Sequence, residues 1–175
     1  MPGVNEVLEF NRQFVERDGH VDHVSDKYPD RKLSIVTCMD TRLTVLLMQA
    51  LGLKNGEVTL ITTAGGVIQS PWGTIARSLL ISVFELGVEE IMVIGHTDCG
   101  FQHTDPVHIE ESMKTHGREV TEPERLDPWM RGFGDLDESI RSSVKLLKDH
   151  PLMPDDVVVR GFRIDSETGE LTEVA

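Results

Sequence analysis

The chain has 175 residues, 39% of them hydrophobic, and carries 17 Lys and Arg against 30 Asp and Glu for a net charge of −13. That length suits one domain with a full core, while the acidic surplus repels phosphate backbones and anionic lipid, arguing against nucleic-acid and membrane partners. Arg77 and Glu85 interrupt the most apolar stretch, the first residues lack the pattern of a secretory leader, and two cysteines make no disulfide framework, so a cytoplasmic protein with free thiols or thiolate metal ligands is expected.

In chain order, residues 4–16 put Val4, Val7, Leu8, Phe10, Phe14 and Val15 near helical spacing and predict an amphipathic opening helix able to dock on a neighbouring subunit. Residues 32–38 read as a buried strand and residues 42–51 as a helix ended by Gly52. The unit repeats, with residues 58–62 as strand, 74–86 as helix ended by Gly87, and 90–96 as strand. Such alternation predicts an α/β fold with a central, mostly parallel β-sheet flanked by helices. After His96 the chain turns polar, with a helix expected over residues 108–116 and an irregular surface excursion over 117–134 that contains Pro123 and Pro128. Helical spacing returns over 136–147, a strand follows over 157–164, and Thr168-Gly169 turns the chain into a short closing strand near Val174. No repeat or linker divides this pattern, so residues 1–175 are read as a single domain.

Cys38 ends one predicted strand, His96 ends another, and Cys99 follows three residues later. In open parallel sheets ligands bind beyond the carboxyl ends of the strands, so these three side chains can form a zinc site there. A structural zinc closes its tetrahedron with a fourth Cys or His, and neither cluster contains one, which leaves an open position for chemistry. The alternative is two small buried cysteines beside a surface ion pair of Asp40 and Arg42. If the chain stays extended past Cys38, alternate residues share a side and Cys38, Asp40 and Arg42 point together.

Through Cys38-Met-Asp40-Thr-Arg42 and His96-Thr-Asp-Cys99-Gly100 the sequence resembles the β-class carbonic anhydrases, closest in compactness to their small archaeal-like and bacterial branch. Ala64-Gly65 after the second strand and Gly161-Phe-Arg-Ile-Asp165 near the end are similar to the family as well. The resemblance implies a dimer or larger homo-oligomer, one zinc per chain held by Cys38, His96 and Cys99, and a catalytic Asp40–Arg42 dyad. It implies reversible hydration of CO2 to bicarbonate and a proton by a metal-bound hydroxide. On the residues themselves, an Asp40 released from Arg42 would swing onto the open position as a fourth ligand, a closed state. Relatives with a similar metal shell hydrolyse carbonyl sulfide or carbon disulfide, and a non-catalytic zinc or redox sensor would use the same thiols. A sensor has no need of a clamped carboxylate beside an open metal position, which favours the lyase. His103 is a candidate proton carrier, and Trp129 and Phe133 are candidate anchors for the polar excursion.

Overall fold

The computed structural model describes residues 3–175, so the first two residues of the expected domain lie outside it. It contains a five-stranded sheet with β1 (Leu33–Cys38), β2 (Val58–Thr63), β3 (Glu90–His96), β4 (Val158–Ile164) and β5 (Leu171–Glu173). The strands lie in the order β2-β1-β3-β4-β5. The first four are parallel and β5 returns antiparallel to β4.

β1 is buried along almost its whole length, which follows from a run of Leu, Ser, Ile, Val, Thr and Cys covered on both faces. Alternation within the strands then sorts the core into two layers. Ile35, Ile94, Phe162 and Ile164 meet Leu43 and Leu47 of α2 (Leu43–Ala50) on one face. Val36, Val93 and Val159 meet Leu79 of α3 (Thr74–Leu86) and Val144 and Leu147 of α6 (Leu136–Lys148) on the other. Each fully buried aliphatic side chain contributes roughly 1.5–3 kcal/mol. α6 buries Ile140, Ser143, Val144 and Leu147 at helical spacing and is capped by Asp135, whose side chain accepts the Glu138 N–H. It comes so close to the sheet that a Cβ on Gly95 would stand 2.8 Å from the Leu136 side chain.

α1 (Val4–Glu16) forms as the spacing predicts and buries none of its residues. The helix expected over 108–116 is α4 (Pro106–Thr115), which starts two residues earlier because Asp105 caps it and Pro106 takes its first turn. The excursion is less irregular than expected, because α5 (Pro123–Met130) forms within it. Pro123 occupies the first turn, where its missing N–H costs nothing, and Asp127 pairs with Arg131 one turn on. Pro128 sits inside this helix and removes one of its few hydrogen bonds, which is why the segment reads as a break in the sequence.

Chain order reverses at β1. Its first crossover leads outward to β2, the next leads back across to β3, and the carboxyl ends of β1 and β3 are left side by side. A crevice opens at such a switch point, and Cys38 and His96 are the terminal residues of its two walls.

Candidate metal centre

Cys38, His96 and Cys99 are all buried, and one donor atom from each lies within 4.8 Å of the others. The two sulfurs are 3.8 Å apart. Sulfurs held ~2.3 Å from a tetrahedral zinc stand about 3.8 Å from one another, so the pair already has the required spacing. His96 Nδ1 lies 2.8 Å from the Thr97 carbonyl oxygen. A carbonyl only accepts, so that contact places the proton on Nδ1 and leaves Nε2 as a lone pair. Nε2 is buried with no hydrogen-bond partner among the described residues. An unpaired buried acceptor costs about 1–3 kcal/mol, a cost that a cation at the centre of the three donors would relieve.

The electrostatics agree with that fit. Burial pushes the Cys38 thiol up, yet the His96 ring, the backbone amides of Asp40 and Gly65 and the Cys99 sulfur outweigh it and hold Cys38 below an ordinary thiol. Cys99 goes the other way and is pushed up to about 11, chiefly by burial and then by the neighbouring Cys38, despite the amides of Phe101 and Gln102. Burial lowers His96, but the Cys38 sulfur, the Thr97 carbonyl and Asp40 together raise it. Both sulfurs can ionise side by side only with positive charge between them, and two thiolates with one neutral imidazole are a donor set suited to zinc.

Asp40 and Arg42 stand beside these donors, but not by strand alternation. β1 stops at Cys38, and Arg42 already has helical backbone angles as the N-cap of α2. The turn makes the pairing instead: Asp40 Oδ1 accepts the Arg42 backbone N–H at 2.9 Å and the Nε–H at 3.0 Å, while Oδ2 accepts from Nη2 at 2.8 Å. This planar fork, with the backbone N–H, holds the Asp40 carboxyl well below the usual carboxylate range. The same carboxylate faces the cluster of candidate donors, with Oδ2 3.9 Å from His96 Nε2. Arg42 also reaches Asp98, a residue the sequence did not single out; its Nη1 donates to Asp98 Oδ2 and its Nη2 to the Asp98 carbonyl, both at 2.8 Å.

The loop after β3 is braced from behind. Thr97 Oγ1 accepts the Ser166 N–H at 3.0 Å, and the Thr97 N–H donates to the Ile164 carbonyl. Ala64-Gly65-Gly66 forms a tight turn against the end of β1. Gly66 has φ +65, and a Cβ there would stand 3.0 Å from the Thr37 carbonyl carbon, so the chain passes too near the crevice wall for any larger residue. Two cavities flank Cys38 and Asp40. One of about 390 Å³ is lined by Ala64, Gly65, Gly100 and Phe101, and one of about 190 Å³ by Leu43, Leu47, Leu60 and Thr62. Phe133 packs against Phe101, ring centroids 6.1 Å apart, and so ties the excursion to the crevice. Trp129 does not act as such an anchor within the chain, being 67% exposed. His103 lies exposed at the end of the turn Gly100–His103.

A family model described as carbonic anhydrase matches residues 33–171. The crystal structure of β-carbonic anhydrase isoform I from Trichomonas vaginalis aligns with a TM-score of 0.91 at 33% identity, covering 99% of this chain and 98% of that one. β-Carbonic anhydrase 1 of Mycobacterium tuberculosis is 34% identical over 148 residues, 83% of this chain and 83% of its own. Carbon disulfide hydrolase of Acidithiobacillus thiooxidans is 30% identical over 158 residues, 81% of this chain and 76% of its own.

Proposed function

Since this chain belongs to the β-carbonic anhydrase family, we propose that it catalyses the reversible hydration of CO2 to bicarbonate, with zinc held by Cys38, His96 and Cys99 and with Asp40 and Arg42 as its catalytic pair. The observation that carries this reading is the convergence of three buried donors, one of them an orphaned imidazole nitrogen, with a clamped carboxylate 3.9 Å from that nitrogen. When bound, zinc supplies a Lewis acid that makes a water molecule ionisable near neutral pH.

The protein's own groups do the rest. Asp40 is kept ionised by Arg42, so it presents an acceptor and never a donor to a water in the crevice. A water that gives one hydrogen bond to Asp40 Oδ2 has its lone pairs turned away from the carboxylate, free to face a linear electrophile in the adjoining cavity. Arg42 holds both carboxylate oxygens by the fork and keeps Asp40 from closing onto the donors as a fourth ligand. The Gly65 and Gly100 backbones leave room for a small substrate beside the pair. Release of the product proton passes to solvent or to a buffer base.

Carbon disulfide is a linear electrophile of the same kind, and a relative named for its hydrolysis covers most of this chain. The test therefore runs three assays on protein of known zinc content: stopped-flow CO2 hydration, and sulfide release from carbonyl sulfide and from carbon disulfide. One zinc per chain with fast CO2 hydration and slow sulfide release is expected. Fast sulfide release with little CO2 hydration assigns the centre to the hydrolase chemistry instead.

An α1 that buries none of its own residues while exposing Val4, Val7, Leu8 and Phe10 supports a homodimer in which this helix lies on the partner subunit. Among the described residues no helix is long and apolar enough to cross a membrane. Two free thiols suit the reducing conditions of the cytoplasm, where we place the protein.

A further inference from the structure

We propose that Asp98 is a positioning residue of this centre: it ties the Arg42 guanidinium to the loop that carries His96 and Cys99, and so sets where Asp40 presents its carboxylate. The proposal rests on the role given to Asp40 above. One cation spans two loops here. Its Nε and Nη2 hold the oxygens of Asp40 in the turn after β1, while Nη1 and Nη2 hold the carboxylate and carbonyl of Asp98 in the loop after β3.

The backbone of Asp98 is the second observation. Its φ is 53, one of three positive values at non-glycine positions among the described residues. Left-handed backbone is unfavourable for a residue with a side chain, though Asp tolerates it better than most. Here it lets the carbonyl and the carboxylate of one residue reach the same guanidinium.

Stability is a poor account of this contact. The Asp98 side chain is 85% exposed, and an ion pair that open to water is worth little to the fold. Orientation is a better one. Without the Asp98 carboxylate, Arg42 keeps its fork to Asp40, so the pair survives as a pair. It then hangs from its own turn and one carbonyl, free to rock as a unit relative to His96 Nε2, and small displacements of a reacting group are expensive in rate.

The variants Asp98→Gly and Asp98→Asn test this, since both tolerate the left-handed backbone and only Asn restores an acceptor for Nη1. Expected for Asp98→Gly are unchanged zinc content and melting temperature, unchanged KM, and a kcat for CO2 hydration lower by about 3- to 10-fold. Asp98→Asn should recover most of that loss. Independently of activity, the ¹H–¹⁵N signal of Arg42 Nε, assigned by its disappearance in Arg42→Lys, should be sharp in the wild type and in Asp98→Asn and exchange-broadened in Asp98→Gly. A wild-type kcat with an unaltered Arg42 signal in Asp98→Gly overturns the proposal. So does a loss of zinc or of melting temperature in step with activity, which marks a merely structural role. An Arg42 signal that loosens in Asp98→Gly while Asp40→Asn keeps full hydration supports the restraint by Asp98 and overturns the role of Asp40 instead.

Discussion

His96 joins the strand to the chemistry through two nitrogens with opposite duties. Nδ1 is committed to the Thr97 carbonyl, so Nε2 is left with nothing to bond except what occupies the crevice. Asp40 has the complementary arrangement, with both oxygens held by Arg42 and one of them also turned toward Nε2. Asp40→Asn keeps the shape but replaces an anionic acceptor by an amide, so zinc should stay near one per chain while CO2 hydration falls by roughly 10²–10⁴-fold, read by metal analysis and stopped-flow assay together. Full activity in that variant would falsify the catalytic part of the proposal. Cys99→Ala should instead lose the metal, because two donors hold zinc far more weakly than three; full zinc occupancy there would exclude Cys99 as a ligand. Cys38 and His96 were legible as candidate donors because their apolar strand runs close on ligand-type residues, and Cys99 because it follows His96 by three residues. Asp98 was not, since an exposed loop Asp has neither a strand end nor a ligand-type side chain spaced to mark it, and only the fold brings it to Arg42.

At the scale of the elements, β1, β3 and α6 form where apolar periodicity marks them, and α5 was hidden by Pro128, which reads as a break by spacing alone although a short helix with Pro123 in its first turn forms around it. The sheet order was also out of reach, because a parallel strand's neighbour is chosen by which helix covers which face. The β4–β5 hairpin offers a test of its own. Asp165 Oδ1 accepts from the N–H groups of Thr168 and Glu167 and from the Thr168 hydroxyl, and these donors hold its carboxyl below the ordinary value. A depressed folded-state value means that the stabilisation is complete above the unfolded carboxyl's range and is lost as pH falls through the folded one. Asp165→Asn should therefore melt lower than the wild type near pH 7 and converge on it in acid, followed by thermal denaturation at several pH values. Parallel curves at every pH would remove Asp165 from the account of the hairpin.

For the whole molecule, α1 exposes an apolar face that the rest of the described chain does not bury. Leu8→Glu places a charge in the centre of that face, and sedimentation should then shift from dimer toward monomer at micromolar concentration with the fold retained by circular dichroism. Wild-type protein that sediments only as a monomer would remove the dimer.

Cys38 and Cys99 are 61 residues apart in the chain and meet only where the order of strands reverses. A pocket built from such distant pieces is among the last things a folding chain completes, after both crossovers have closed their long loops. Zinc accordingly acts as a latch and not as a template. Adding it to refolding protein should leave the folding rate nearly unchanged, while the unfolding rate of the loaded form drops with metal concentration, as interactions absent from the transition state slow only the reverse path. The cell would then supply the metal to finished molecules, and a chain that fails to close its sheet would be recognisable by its inability to keep zinc.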